Sequence, residues 1–140
     1  MMAKPLSLAL VLLVLSPGAA PAGEHRLECP AAAPADWPTP HGRLAGVAVL
    51  AAKDGEAIDE TAPPSLVPDN ESLRAGTLHQ RWRMNGYGAG WHFYVDCRYE
   101  GSARVLRLDA SAVKSCDRFV SKFSRTTGAS TQSQDSLACD

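Results

Sequence analysis

His79, His92 and Asp96 have the residue types and the alternating spacing from which a surface acid/base or metal site could be built. If the segments carrying them pair as neighbouring strands, cross-strand partners lie about 5 Å apart, and the three side chains converge on one polar face. Arg81 and Arg83 share that face, and their charge opposes a bound cation. The simpler reading is therefore a solvated face, and no metal ligand or catalytic residue is assigned. A second chemistry lies in Arg81, Arg83, Tyr87 and Arg98. Together they would make an aromatic and basic surface able to meet an acidic partner or a glycan. Tyr87 is expected at the exposed tip of a mobile hairpin loop, residues 85–90 (NGYGAG), and such tips often carry binding function. The glycines of that loop do not lead from a strand into a helix, so a phosphate cradle fails its context. No G-x-S-x-G nucleophile elbow occurs, and no cofactor is implied.

Cysteine is the other reactive type. Cys29, Cys97, Cys116 and Cys139 all lie beyond the apolar first twenty-two residues. Structural zinc ligands arrive as close pairs, C-x₂₋₄-C, whereas eighteen residues separate the nearest two cysteines here, so disulfides are expected. Four cysteines allow three pairings. Loop entropy gives about 3.3 and 4.8 kcal/mol for Cys97–Cys116 with Cys29–Cys139, against about 4.4 and 3.4 for Cys29–Cys97 with Cys116–Cys139. That difference does not choose between them.

The elements that must position these groups follow from periodicity. Residues 43–51 (RLAGVAVLA) fit a first strand, and Lys53-Asp54-Gly55-Glu56 is a turn signal. Residues 57–72 contain Pro63, Pro64 and Pro68 and read as a long surface connection; Asn70-Glu71-Ser72 matches a glycosylation sequon, a pattern common by chance. Strict alternation then runs through Leu78, Gln80, Trp82 and Met84, and again through Trp91, Phe93, Val95, Cys97 and Tyr99. The expectation is a hairpin with Met84 opposite Trp91, Trp82 opposite Phe93, Leu78 opposite Cys97, His79 opposite Asp96 and Arg83 opposite His92. A third strand over 103–108 would complete a meander. Residues 111–123 are ambiguous between a helix and a short final strand, and the strand is preferred.

Residues 30–40 hold four prolines and form an extended arm, with Trp37 packed on the domain edge. Residues 124–140 are rich in Ser, Thr and Gln and read as a flexible tail unless Cys139 ties it down. At the other end, Lys4, the apolar run 6–15 and Ala20-Pro21-Ala22 make the three parts of a secretory signal in order. This ten-residue run, apolar but for Ser7, is about half of what a spanning helix needs, so no stable membrane insertion is expected after cleavage. The formal net charge of −1 gives no electrostatic reason to expect nucleic acid as a partner.

Residues 91–99 (WHFYVDCRY), Gly101-Ser102 and Cys116, preceded by Cys29-Pro30, residues 44–55, Leu66-Val67-Pro68-Asp69 and Trp82, resemble a family of small uncharacterised periplasmic proteins of Gram-negative bacteria. The resemblance covers roughly residues 29–123 and rests on order and spacing. It implies a periplasmic β domain and transfers no catalytic residue. It also places Cys97 and Cys116 together in the shared core and so implies their bond, leaving Cys29 to Cys139, which lies outside the resembling part.

The expected architecture is mainly β: a small antiparallel sheet, sandwich or partly open barrel with long loops, behind a cleaved signal helix. Its parts are a signal peptide (1–22), a Pro-rich arm (23–42), a β-rich domain (43–123) and a polar tail (124–140). The expected function is a non-enzymatic binding or interaction module of the bacterial envelope, periplasmic or secreted, whose partner is an envelope protein or a glycan. A lysozyme inhibitor is one concrete form, although the chain lacks the Ser-Gly-x-x-Tyr segment such inhibitors use. The alternative is a periplasmic hydrolase or metal-dependent enzyme using the His79, His92 and Asp96 face.

Overall fold

The computed structural model describes residues 26–124, 128–129 and 134–140; the expected signal segment and its cleavage site lie outside them. Among the described residues there is no α-helix, and ten strands make two principal antiparallel sheets and one small ribbon. The strands are β1 (Leu27–Glu28), β2 (Leu44–Lys53), β3 (Asn70–Arg74), β4 (Thr77–Arg83), β5 (Trp91–Tyr99), β6 (Val105–Asp109), β7 (Ser115–Val120), β8 (Phe123–Ser124), β9 (Gly128–Ala129) and β10 (Asp135–Cys139). One sheet has five strands in the order β1-β10-β7-β4-β3, the other three in the order β2-β5-β6, and β8 pairs with β9.

The two sheets share one core. Trp82, Cys116, Leu137 and Cys139 from the five-stranded sheet meet Val49, Ala51, Phe93, Val95 and Cys97 from the three-stranded sheet. This arrangement corrects the expected hairpin. β4 lies between β3 and β7, and β5 lies between β2 and β6, so the two alternating segments face each other across the core instead of pairing side by side. Trp82 stands opposite Cys116 and Leu78 opposite Val120, while Phe93 stands opposite Ala51 and Cys97 between Val47 and Leu106. Alternation fixes which face of a strand is buried. It does not say whether the apolar partner is in the next strand or in the opposite sheet.

Residues 84–90 make the crossing. Tyr87 sets its ring edge-on to Trp91 and Phe93, with centroids 5.5 and 5.0 Å away, and the Asp54 N–H donates to Gly90 O at 2.8 Å. Tyr87 is 40% exposed; it closes one end of the core and is not a free loop tip. A second crossing runs through residues 64–69. The Leu66 N–H donates to Val49 O at 2.7 Å, the Trp82 indole N–H donates to Leu66 O at 3.0 Å, and the Asp69 N–H donates to Arg81 O at 2.8 Å. The connection expected over 57–72 therefore ends at β3, whose edge strand includes Asn70-Glu71-Ser72.

Both disulfides differ from the pairing implied by the resemblance. Cys29 is bonded to Cys97 and Cys116 to Cys139. Cys97 and Cys116 both point inwards, but from opposing sheets. Cys139 lies directly opposite Cys116 in the β10–β7 register, and the chain leaving β1 carries Cys29 to β5. The Pro-rich arm continues from there against the domain. The Ala33 N–H donates to Gly42 O, the Leu44 N–H donates to Ala31 O, the Tyr99 hydroxyl donates to Pro30 O, and Trp37 rests edge-on against Tyr99 at 5.8 Å. A Cβ on Gly42 would lie 2.3 Å from the Glu100 carbonyl oxygen, so the arm closes only over a glycine.

The ambiguous segment contains a strand, β7, as preferred. It is not the final one, because residues 135–139 of the expected flexible tail form β10 and are bolted to β7 by Cys139.

Candidate functional site: the outer face of the five-stranded sheet

The sequence-predicted residues divide between two opposite surfaces. His79, Arg81 and Arg83 alternate outwards on β4, in the five-stranded sheet. His92, Asp96 and Arg98 alternate outwards on β5, in the three-stranded one. The proposed His79, His92 and Asp96 constellation is therefore not assembled: His79 stands opposite Phe119, His92 opposite Ala52, and Asp96 between Ala48 and Arg107. Arg81, Arg83, Tyr87 and Arg98 likewise do not make one surface, since Arg98 lies on the far sheet and Tyr87 on the core end.

On the three-stranded sheet, Asp96 is 1% exposed and accepts two hydrogen bonds from Arg107, at 2.7 Å from Nε and 2.9 Å from Nη2. The same guanidinium holds Glu60 of the connecting strap at 2.6 Å, which keeps the Glu60 carboxyl below the usual glutamate range. His92 is hydrogen-bonded to Asp54 at the end of this sheet. These contacts pin the strap and the 53–56 turn. They leave Asp96 and Asp54 occupied by partners within the fold.

On the five-stranded sheet, strand alternation builds a different group. β7 runs against its apparent polarity: Cys116, Arg118 and Val120 face inwards, and Ser115, Asp117 and Phe119 face outwards. Arg118 can turn in because Asp135 meets it with two hydrogen bonds, at 2.8 and 2.5 Å, and Gln80 accepts a third at 3.2 Å. Phe119 is thereby left on the surface, 46% exposed, stacked flat on His79 with ring centroids 4.4 Å apart and planes within 4°. His79 Nε2 lies 2.6 Å from Asp117 Oδ1. Arg81 Nη1 is 4.0 Å from the other Asp117 oxygen, and its Nη2 donates to Ser115 Oγ at 3.3 Å. The Ser115 hydroxyl donates in turn to Asp140 Oδ1 at 2.7 Å, and this bond holds the Asp140 carboxyl below its ordinary range.

His79, Arg81, Asp117, Phe119 and Asp140, with Arg26 and Ala138, line an open groove of about 760 Å³. A second, smaller groove on the other side of the Phe119 and His79 rings is lined by Ser72, Arg74 and Thr77. Serine, histidine and aspartate are all present, but the Ser115 hydroxyl is committed to Asp140 and Arg81, not to His79, so a nucleophile and base pair is not formed. Among the described residues no three histidine, cysteine, aspartate or glutamate side chains gather as a metal-binding group. The arrangement is suited to holding a ligand: a rigid aromatic pair on a sheet, flanked by guanidinium groups and small hydroxyl and amide side chains.

Sequence reasoning missed Phe119 and Asp117 as site residues because β7 was not placed beside β4. The available signal was their shared parity, which puts a phenylalanine on the same side as an aspartate and two positions from it. Comparison with protein-family models, curated proteins and solved structures finds no match to this chain.

Proposed function

We propose that this protein is an exported, non-enzymatic binding module of the bacterial envelope, and that it meets an acidic partner on the outer face of its five-stranded sheet. The observation that carries this reading is the exposed Phe119 stacked on His79 beside Arg81, on a surface made of strands and not of loops. Little side-chain entropy remains to be lost there, because the rings, Asp117, Arg81 and Ser115 already hold one another, and preorganisation of this kind favours binding. Both cysteine pairs are oxidised, which fits an oxidising compartment such as the periplasm or the exterior. The apolar run at residues 6–15 supports export by the same argument as before.

The test is site-specific photo-cross-linking in cells that export the protein. A photoreactive residue at Ser136, exposed on this face, should give a light-dependent adduct that Arg81→Glu abolishes. The same residue at Val67, exposed on the strap between the sheets, should give none. Equal adducts from both positions, or none from Ser136, would remove this face as the binding surface.

A further inference from the structure

Most arginines of the described fold already have carboxylate partners: Arg26 with Glu28, Arg43 with Glu100, Arg107 with Asp96 and Glu60, Arg118 with Asp135, and Arg81 with Asp117. Arg74, Arg83, Arg98 and Arg104 have none within ion-pair distance among the described residues, and the first two share the outer face of one sheet, on its edge strand β3 and the neighbouring β4. Arg74 stands opposite Thr77, and Arg83 lies six residues further along β4, which separates the two by about 20 Å along the strand. Arg81, His79 and Phe119 lie between them. The intervening surface is paved with Ser72, Thr77 and Ser136 and is bordered by Asn70. A line of hydroxyl and amide groups thus flanks an exposed ring, with a free guanidinium towards each end.

We propose that this face binds an extended glycan bearing carboxylates, a polyuronate-like chain, laid along β4 from Arg74 to Arg83. Deepening the proposed function, the inference rests on that reading of the face. Sugar rings present C–H faces to an aromatic platform and hydroxyls to Ser, Thr and Asn, and each carboxylate matches a planar guanidinium fork. An acidic peptide is the weaker fit. Peptides gain affinity by adding to a free strand edge, and beside β4 that edge is β3, so an added strand would lie beside β3 and away from Phe119 and His79, whose strands β7 and β4 are paired on both sides. Asp117 and Asp140 remain anionic, and Arg81 offsets them, lying 4.0 Å from Asp117 and bonded to the Ser115 hydroxyl that holds Asp140.

Nuclear magnetic resonance titration of the purified, oxidised protein tests this with three probes: a galacturonate oligomer of about six units, a neutral malto-oligosaccharide of equal length, and hexaglutamate. The galacturonate oligomer should move the His79, Arg81 and Phe119 signals saturably, and the neutral oligomer should bind roughly tenfold or more weakly. Phe119→Ala and the double variant Arg74→Glu, Arg83→Glu should each weaken galacturonate binding by about tenfold or more while keeping the amide spectrum of the folded protein. Failure of the galacturonate oligomer to bind, equal binding of the neutral one, or binding indifferent to these substitutions overturns the glycan assignment. Tighter binding of hexaglutamate at the same signals also overturns it but leaves the proposed function standing, whereas the photo-cross-linking experiment can fail independently of both.

Discussion

At the scale of the residue, two arginines, Arg107 and Arg118, face carboxylates under cover. Asp96 shows the limit of reading polarity from sequence. It alternates with the apolar residues of β5, as a solvated residue would, yet it is buried because the strap residues 57–66 lie over the outer face of its sheet and Arg107 reaches it from β6. No local pattern announces a strap that folds back from earlier in the chain. Arg107→Ala leaves Asp96 buried without a partner, and chemical denaturation should show a loss of about 3–5 kcal/mol. Glu60 gives a pH signature of the same contact. Its folded pKa lies below its unfolded one, so its contribution is present above the unfolded value and is lost as pH falls through the folded one. Carboxyl titration by nuclear magnetic resonance should find Glu60 below the usual glutamate range in the native protein and at the ordinary value in Arg107→Ala. An unchanged Glu60 midpoint in the variant would contradict the contact.

At the scale of the element, the strands of the domain were largely legible and their neighbours were not. Residues 43–51, the two alternating segments and the 103–108 strand all appear close to their expected places, because burial of one face imposes a period of two that polar substitutions seldom hide. The placement of β4 and β5 in different sheets depends on what the 84–90 loop does in space, and its glycines suit a hairpin equally well. The disulfides inherit the same ambiguity, since a cysteine facing inwards from one sheet can meet any strand or arm that reaches the core. Non-reducing peptide mapping should recover peptides joining Cys29 to Cys97 and Cys116 to Cys139; a peptide joining Cys97 to Cys116 would contradict this topology. A small element passed unread in the sequence is the two-residue turn between β3 and β4. Ala75 and Gly76 both have positive φ, 47° and 75°, the conformation that Asn-Gly favours. Ala75→Asn should raise stability by about 1 kcal/mol, seen as a higher thermal midpoint, and a fall would refute the turn assignment.

At the scale of the whole molecule, the ends of the described domain meet: Leu27 pairs with Cys139, and β10 joins the sheet between β1 and β7. The candidate site depends on that late closure, because Ala138, Cys139 and Asp140 supply one border of the groove and Phe119 is turned outwards while Arg118 is drawn inwards to Asp135. This is why the site was not legible as a unit: its parts come from β4, β7 and β10, and only the closed sheet aligns them. Pairings between such distant parts of the chain place refolding of the reduced protein on the milliseconds-to-seconds scale, which stopped-flow tryptophan fluorescence would measure.

The two disulfides also bypass most of the chain mechanically. For a force applied between residues 26 and 140, the segments 30–96 and 117–138 are shielded by the bonds that close over them. Only residues 26–29, 97–116 and 139–140 can lengthen, about 80 Å at roughly 3.5 Å per residue, against about 400 Å once the thiols are reduced. Even when pulled to the limit of its oxidised backbone, the domain would keep β2, β3 and β4 outside the load path. Under such a load the oxidised domain is a tether only about a fifth as extensible as its length suggests.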